Sequence, residues 1–160
     1  MEKKRTIDLD IKLTWLNISR MYNTQADRYE FSTSAAFVLL HMDEAKGTQL
    51  ALVAPMLGME ASSMTRLINS MEDKGLITRR RENLQDRRQV LIYLTEKGRK
   101  AKMIAKIKVK HFNKKIAAMV TPEKLDAFFE VIDAMNSLIN ANEVYNDEPK
   151  MELSEILLGI

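Results

Sequence analysis

Apolar positions along the chain fall into rows with helical spacing, broken once by a stretch of period two. From Ile7 to Tyr22 they recur as Ile11, Trp15, Ile18 and Tyr22, with a second row at Leu9, Leu13 and Leu16. Steps of three and four residues predict a helix, and one that is apolar on two sides has two faces to bury. Ser32 is placed to cap a second helix carrying Phe37, Leu40 and Ala45 and ending at Gly47. Thr48 is placed to cap a short third helix with Leu50, Val53 and Leu57, strained by Pro55. Past Gly58, Met64, Leu67, Ile68 and Met71 stand at i, i+3, i+4 and i+7 of a fourth helix, which Gly75 stops.

After Gly75 the period changes. Leu76–Arg80 and Gln89–Leu94 alternate and are rich in β-branched residues, so they read as two strands joined by a loop longer than a tight turn. Thr95 caps a long fifth helix with Ile104, Ile107, Phe112 and Ile116. Thr121 and Pro122 open a sixth, whose stripe runs through Leu125, Phe128, Phe129, Ile132, Met135, Leu138 and Ile139. Residues 147–150 read as a linker and 151–160 as a short amphipathic tail, expected to dock on the neighbouring helices. The fold class is therefore mostly α with a small β-hairpin wing: a winged helix-turn-helix with six helices.

Composition narrows what such a fold does. Of 160 residues 46% are hydrophobic, which suits a packed core, and there is no cysteine, which removes disulfides and thiolate metal sites. No run is long enough to span a membrane, and the polar N-terminus does not look like a secretory signal, so a cytoplasmic address is expected. Charge is the informative property. Basic and acidic residues number 7 and 8 over residues 1–65, 14 and 5 over 66–110, and 4 and 9 over 111–160. A basic block between acidic ends points to a polyanion, most often nucleic acid.

The block also has shape. With Met64, Leu67, Ile68 and Met71 turned inward, Ser62, Ser63, Thr65, Arg66 and Asn69 lie outward, small hydrogen-bonding groups suited to a major groove. The next segment holds five arginines within ten residues: Arg79, Arg80 and Arg81 before the hairpin tip, Arg87 and Arg88 after it. A wing beside a recognition helix reaches the adjoining minor groove, where arginine is favoured. Asp86 is placed to hold the Arg88 guanidinium. The candidate DNA-binding set is Ser62, Ser63, Thr65, Arg66, Asn69, Arg79, Arg81, Asp86, Arg87 and Arg88.

On these residues the chain resembles the multiple-antibiotic-resistance regulator (MarR) family of bacterial winged-helix transcription factors. The marks are Ser62 with Met64-Thr65-Arg66, Lys74-Gly75-Leu76-Ile77, Asp86 with Arg88, and Leu94-Thr95 with Gly98. Two features depart from the pattern: Glu60 stands where a better helix cap is usual, and residues 147–160 have no counterpart.

The resemblance implies a homodimer on a palindromic operator, with the N- and C-terminal helices forming a dimerisation layer. It divides residues 1–146 into a DNA-binding lobe (30–98) and dimerisation helices (6–24 and 99–146), followed by the 147–160 tail. The two-sided first helix and the long stripe of the sixth offer the apolar surface such a dimer needs. The resemblance further implies a repressor released by a small anionic aromatic effector, with Trp15, Tyr22, Phe37 and His41 as candidate lining residues, although aromatics in such positions more often serve as core.

Nothing argues for an enzyme. The five glycines form no phosphate loop, and the two histidines, His41 and His111, lack any metal-ligand spacing, so neither cofactor nor metal is expected. The competing function class is a protein-interaction module built on a winged helix without sequence-specific DNA binding.

Overall fold

The computed structural model describes residues 5–26, 29–49, 52, 53, 55, 57–81, 90–141 and 144. In chain order these form α1 (Ile7–Ala26), α2 (Thr33–His41), β1 (Thr48–Gln49), α3 (Ala61–Asp73), β2 (Ile77–Arg81), β3 (Val90–Leu94), α4 (Glu96–Ala117) and α5 (Pro122–Asn140). The chain divides into two compact units, residues 1–111 and 112–160.

In the first unit one apolar core joins the helices to the sheet. It takes Ala35, Val38 and Leu39 from α2, Met64, Ile68 and Met71 from α3, Ile77, Ile92 and Leu94 from the strands, and Ala101 and Ala105 from the start of α4. Each fully buried aliphatic side chain contributes about 1.5–3 kcal/mol, so this row of α3 fixes which face of that helix is left outside. Local caps set the element ends. Ser32 Oγ accepts from Ala35 N at 3.2 Å, as a helix N-cap should. Asn23 Oδ1, near the end of α1, accepts from Thr33 Oγ1 at 2.6 Å and ties α1 to the start of α2. Lys102 Nζ of α4 donates to the Met42 carbonyl at 2.6 Å, beyond the last turn of α2.

The turn from α3 into β2 depends on two glycines. Gly75 follows the helix at φ +67°, the left-handed conformation of a C′ residue. Gly98 lies so close to the turn that an added Cβ would sit 1.9 Å from the Leu76 carbonyl oxygen. Thr95 completes the joint. Its Oγ1 donates toward the Gly75 carbonyl at 2.6 Å and accepts from Gly98 N at 3.0 Å, as expected of the cap of α4.

Three expectations are corrected. The chain has five helices among the described residues, not six, and Thr48 caps none of them. Thr48 and Gln49 are extended and pair antiparallel with Ile92 and Leu91, making a three-stranded sheet in the order β1-β3-β2 where a two-stranded hairpin was expected. Leu52, Val53 and Pro55 have helical backbone, while residues 50, 51, 54 and 56 lie outside the described residues. The second helix also stops earlier than Gly47. It ends at His41, because Met42 turns extended and Asp43 Oδ1 then accepts from the Ala45 and Lys46 amides, a local turn that competes with further helix.

The second unit holds the end of α4 and all of α5. Thr121 is the N-cap residue of α5, with Pro122 in the first helical turn. No residue of α5 is buried, and Phe128 and Ile139 are 54% and 63% exposed. Opposite this apolar stripe Glu123, Asp126, Glu130 and Asp133 recur at helical spacing as an acidic row. The tail from residue 147 to 160 lies outside the described residues.

Candidate nucleic-acid interface

Helix α3 is positioned by its own amphipathicity. Met64, Ile68 and Met71 are buried and Leu67 is partly so, leaving Ser62, Thr65, Arg66 and Asn69 exposed and Ser63 half-buried at the flank. Thr65 Oγ1 turns back to the Ala61 carbonyl at 2.9 Å, which leaves its oxygen free to accept. Arg66 has no ion pair or side-chain hydrogen bond among the described residues. Glu60 occupies the N-cap of α3 and makes no capping bond through its side chain. The start of α3 is therefore held by packing more than by its cap.

The strand beside α3 sorts its arginines by face. In the β2–β3 register Arg79 stands opposite Ile92 and Arg80 opposite Leu91. Arg79 thus shares the core-side face with Ile77, toward α3, and Arg80 points to the other side. Arg79 donates through Nη2 to Asn69 Oδ1. Its Nη1 lies 3.4 Å from Glu72 Oε2, and its backbone N–H donates to Glu72 Oε1 at 3.2 Å. Arg80 lays its guanidinium over the Tyr93 ring, 5.2 Å from the centroid. Two residues expected as independent DNA contacts, Asn69 and Arg79, are therefore joined to each other. Glu72 and Tyr93, which sequence reasoning missed, organise the two arginines. A carboxylate three residues beyond Asn69 on the same helix face was the available signal for Glu72.

Arg81 closes β2, and its side chain is outside what is described. Asp86, Arg87 and Arg88 lie outside the described residues altogether.

The aromatic residues divide. Tyr22 and Phe37 line a small cavity in the first unit, together with Tyr29, Phe31, Ile104 and Lys108. It encloses about 40 Å³, the room of roughly one or two water molecules. Burial pushes the Tyr22 hydroxyl above the usual tyrosine range. Lys108 Nζ sits 5.7 Å from the Tyr29 ring centroid, at the cavity wall. Trp15 packs on Phe37 with ring centroids 5.7 Å apart, outside the lining. His41 is not brought to this cavity. It is exposed at the far end of α2, with Nδ1 2.8 Å from the Phe37 carbonyl, and lines a separate open cleft with Asp43, Lys46 and Gln49. Lys108 and Tyr29 were missed. Lys108 falls four residues after Ile104 on the inward side of α4, a cation on an apolar row, and that was the signal.

Among the described residues no cluster of histidine and carboxylate side chains could hold a metal ion, and no helix is long and apolar enough to cross a membrane.

Comparison with known proteins agrees with this fold. Residues 20–105 match the model of a family described as transcriptional regulator SarA/Rot. A Bacillus subtilis (strain 168) protein, the uncharacterized HTH-type transcriptional regulator YdgJ, is 29% identical over 103 residues, 64% of this chain. The matched part spans 60% of that relative's length. Among solved structures, the Staphylococcus aureus MepR–DNA complex superposes with a TM-score of 0.77 at 16% identity, covering 84% of this chain and 98% of that one. A MarR-family transcriptional regulator from Listeria monocytogenes, complexed with a 26mer DNA, gives 0.76 at 16% identity, covering 93% and 99%. The fold is that of MarR-type winged-helix regulators, and the chain belongs to the SarA/Rot family of transcriptional regulators.

Proposed function

We propose that this chain is a sequence-specific, double-stranded-DNA-binding transcriptional regulator that works in the cytoplasm as a homodimer. The observation that carries the reading is the outer face of α3. Ser62, Thr65 and Arg66 form an exposed polar row, its arginine without an ion pair among the described residues, beside a strand rich in further arginines. In a major groove Arg66 pairs with a guanine edge, and the hydroxyls of Ser62, Ser63 and Thr65 meet bases or phosphates. Arg81, Arg87 and Arg88 serve the neighbouring minor groove, with Asp86 holding Arg88; sequence position supports these four roles. Two structurally similar proteins were solved with DNA, which favours this use of the fold.

The dimer rests on apolar surface. Trp15 is 50% exposed on α1 and Phe129 is 52% exposed on α5, with Ile7, Ile11 and Leu138 exposed in the same two helices. Single large apolar residues at a surface are ordinary, whereas whole rows of them mark an interface. Two copies place two recognition helices on a near-palindrome with half-sites about one helical turn apart. In this reading α1 and residues 99–146 make the dimer layer and residues 30–98 the DNA-binding lobe.

Regulation is by release: the dimer represses until a small anionic aromatic compound enters the cavity of Tyr22, Phe37 and Lys108. At about 40 Å³ the cavity has to widen for an aromatic ring, since an engineered cavity that takes benzene is about 150 Å³. Widening moves α2 against its neighbours, and α2 shares a core with α3.

The alternative, a protein-interaction module, is favoured only by the acidic row of α5. Selection of bound fragments from random duplex DNA separates the two. A regulator enriches a near-palindromic motif, and a protein-binding module enriches none.

A further inference from the structure

We propose that Arg79 is a positioning residue. It acts as a clip that sets the wing strand against the recognition helix, and its charge is spent inside the protein and not on DNA phosphate. This rests on the reading of α3 as a DNA-recognition helix.

Strand β2 is an edge of the sheet, hydrogen-bonded on one side to β3. Edge strands leave outward N–H groups that need partners. The Glu72 carboxylate supplies one by accepting from Arg79 N at 3.2 Å, and the same carboxylate lies 3.4 Å from Arg79 Nη1. The other arm of the guanidinium, Nη2, donates to Asn69 Oδ1. A planar fork that engages two side chains of α3 fixes direction as well as distance, which a lysine ammonium does not do.

The location gives the clip its consequence. Arg66, Asn69 and Glu72 follow one another at three-residue steps along one side of α3. The clip therefore grips the helix beside the row proposed for the major groove, and next to the helix C-terminus, where a cation is favoured. The ion pair is about one-third exposed on each side, and such pairs add little to stability. What the clip controls is the angle between two elements that must meet two grooves at once. Loss of that angle weakens contacts that depend on alignment, those to base edges. Contacts to the backbone tolerate small shifts and stay.

The test uses the full chain, a duplex recovered by selection and a random duplex, with affinities measured over a range of salt. Arg79→Ala is expected to lower discrimination between the two duplexes about tenfold, while random-duplex affinity and the salt slope stay at wild-type values. Arg79→Lys keeps the charge and is expected to lose discrimination to a similar extent. Glu72→Gln removes a negative charge, so simple electrostatics expects tighter binding to both duplexes; the clip expects poorer discrimination, and Glu72→Gln adds little to Arg79→Ala. A thermal melt of each variant establishes that it folds, and the isosteric Glu72→Gln carries the test if Arg79→Ala does not. A salt slope reduced by about one in Arg79→Ala, with full discrimination kept in Arg79→Lys, would make Arg79 a phosphate contact and overturn the proposal. Tighter binding of Glu72→Gln to both duplexes overturns it too. If the wild-type chain shows no discrimination at all, the DNA-regulator reading itself fails and takes the clip with it.

Discussion

The Arg80 guanidinium carbon stands over the Tyr93 ring, 5.2 Å from its centroid, on the face of β2 opposite Arg79. Adjacent arginines are thus held by unlike partners, one by a π face and one by Asn69 and Glu72. A cation over an aromatic ring that keeps contact with solvent, as the half-buried Tyr93 does, is worth about 0.5–1 kcal/mol. Arg80→Gln is therefore expected to lower unfolding free energy by about that amount in a urea titration, and Arg80→Gln in a Tyr93→Leu background by less. Equal effects in both backgrounds would mean the stacking contributes nothing.

The joint between α3, β2 and α4 offers a stronger perturbation. A methyl group at position 98 would meet the Leu76 carbonyl oxygen at 1.9 Å, backbone that cannot swing aside. Gly98→Ala is expected to destabilise by about 1–3 kcal/mol or more. Thr95→Ala, which removes the acceptor for Gly98 N, is expected to cost about 0.5–2 kcal/mol. Chemical denaturation of both variants checks the order, Gly98→Ala being the less stable.

Much of this architecture was legible in the chain. Buried Met64, Ile68 and Met71 stand at helical spacing, and the period of two after Gly75 marks β2 and β3. Strand β1 was not legible, because two residues carry no period; it exists only by pairing with β3, and Thr48 after a glycine looks like a helix cap. The engagement of Asn69 by Arg79 was hidden for a related reason. A polar residue on a helix face has the same one-dimensional signature whether it waits for DNA or already has a partner. Of the four lining candidates that the family resemblance implied, Tyr22 and Phe37 line the cavity, whereas Trp15 packs on Phe37 outside it and His41 stands exposed where α2 ends.

Acid should loosen the turn before β1. Asp43 is held below the ordinary aspartate range, first by accepting from Lys46 N, then from Ala45 N. A carboxyl depressed on folding contributes stability that is present above its unfolded pKa and is lost as pH falls through the folded one. The contribution should fade below about pH 4. Asp43→Asn should therefore lose less stability than wild type as pH falls below about 4, in melts over a pH series. Parallel pH curves for the two would remove Asp43 from the account.

The exposed rows of α1 and α5 predict a dimer by light scattering at micromolar concentration. Phe129→Glu and Leu138→Asp, which place charge in the α5 row, are expected to shift the mass toward one chain and to weaken DNA binding. For wild type the melting temperature should rise with protein concentration, because association stabilises the folded state by mass action. A wild-type chain of monomer mass that still binds a single half-site tightly would remove the dimer.

In the proposed function the face of Ser62, Thr65 and Arg66 reads DNA sequence. The most direct measurement is the dissociation constant for a selected duplex and for a scrambled one, over a salt series, with wild type and Arg66→Ala. Wild type is expected to prefer the selected duplex at least about a thousandfold at physiological salt. Its log affinity should fall steeply and linearly with log salt. Arg66→Ala should lose about 1–3 kcal/mol on the selected duplex and less on the scrambled one. Equal affinity for the two duplexes, or a loss from Arg66→Ala of the same size on both, would contradict that reading.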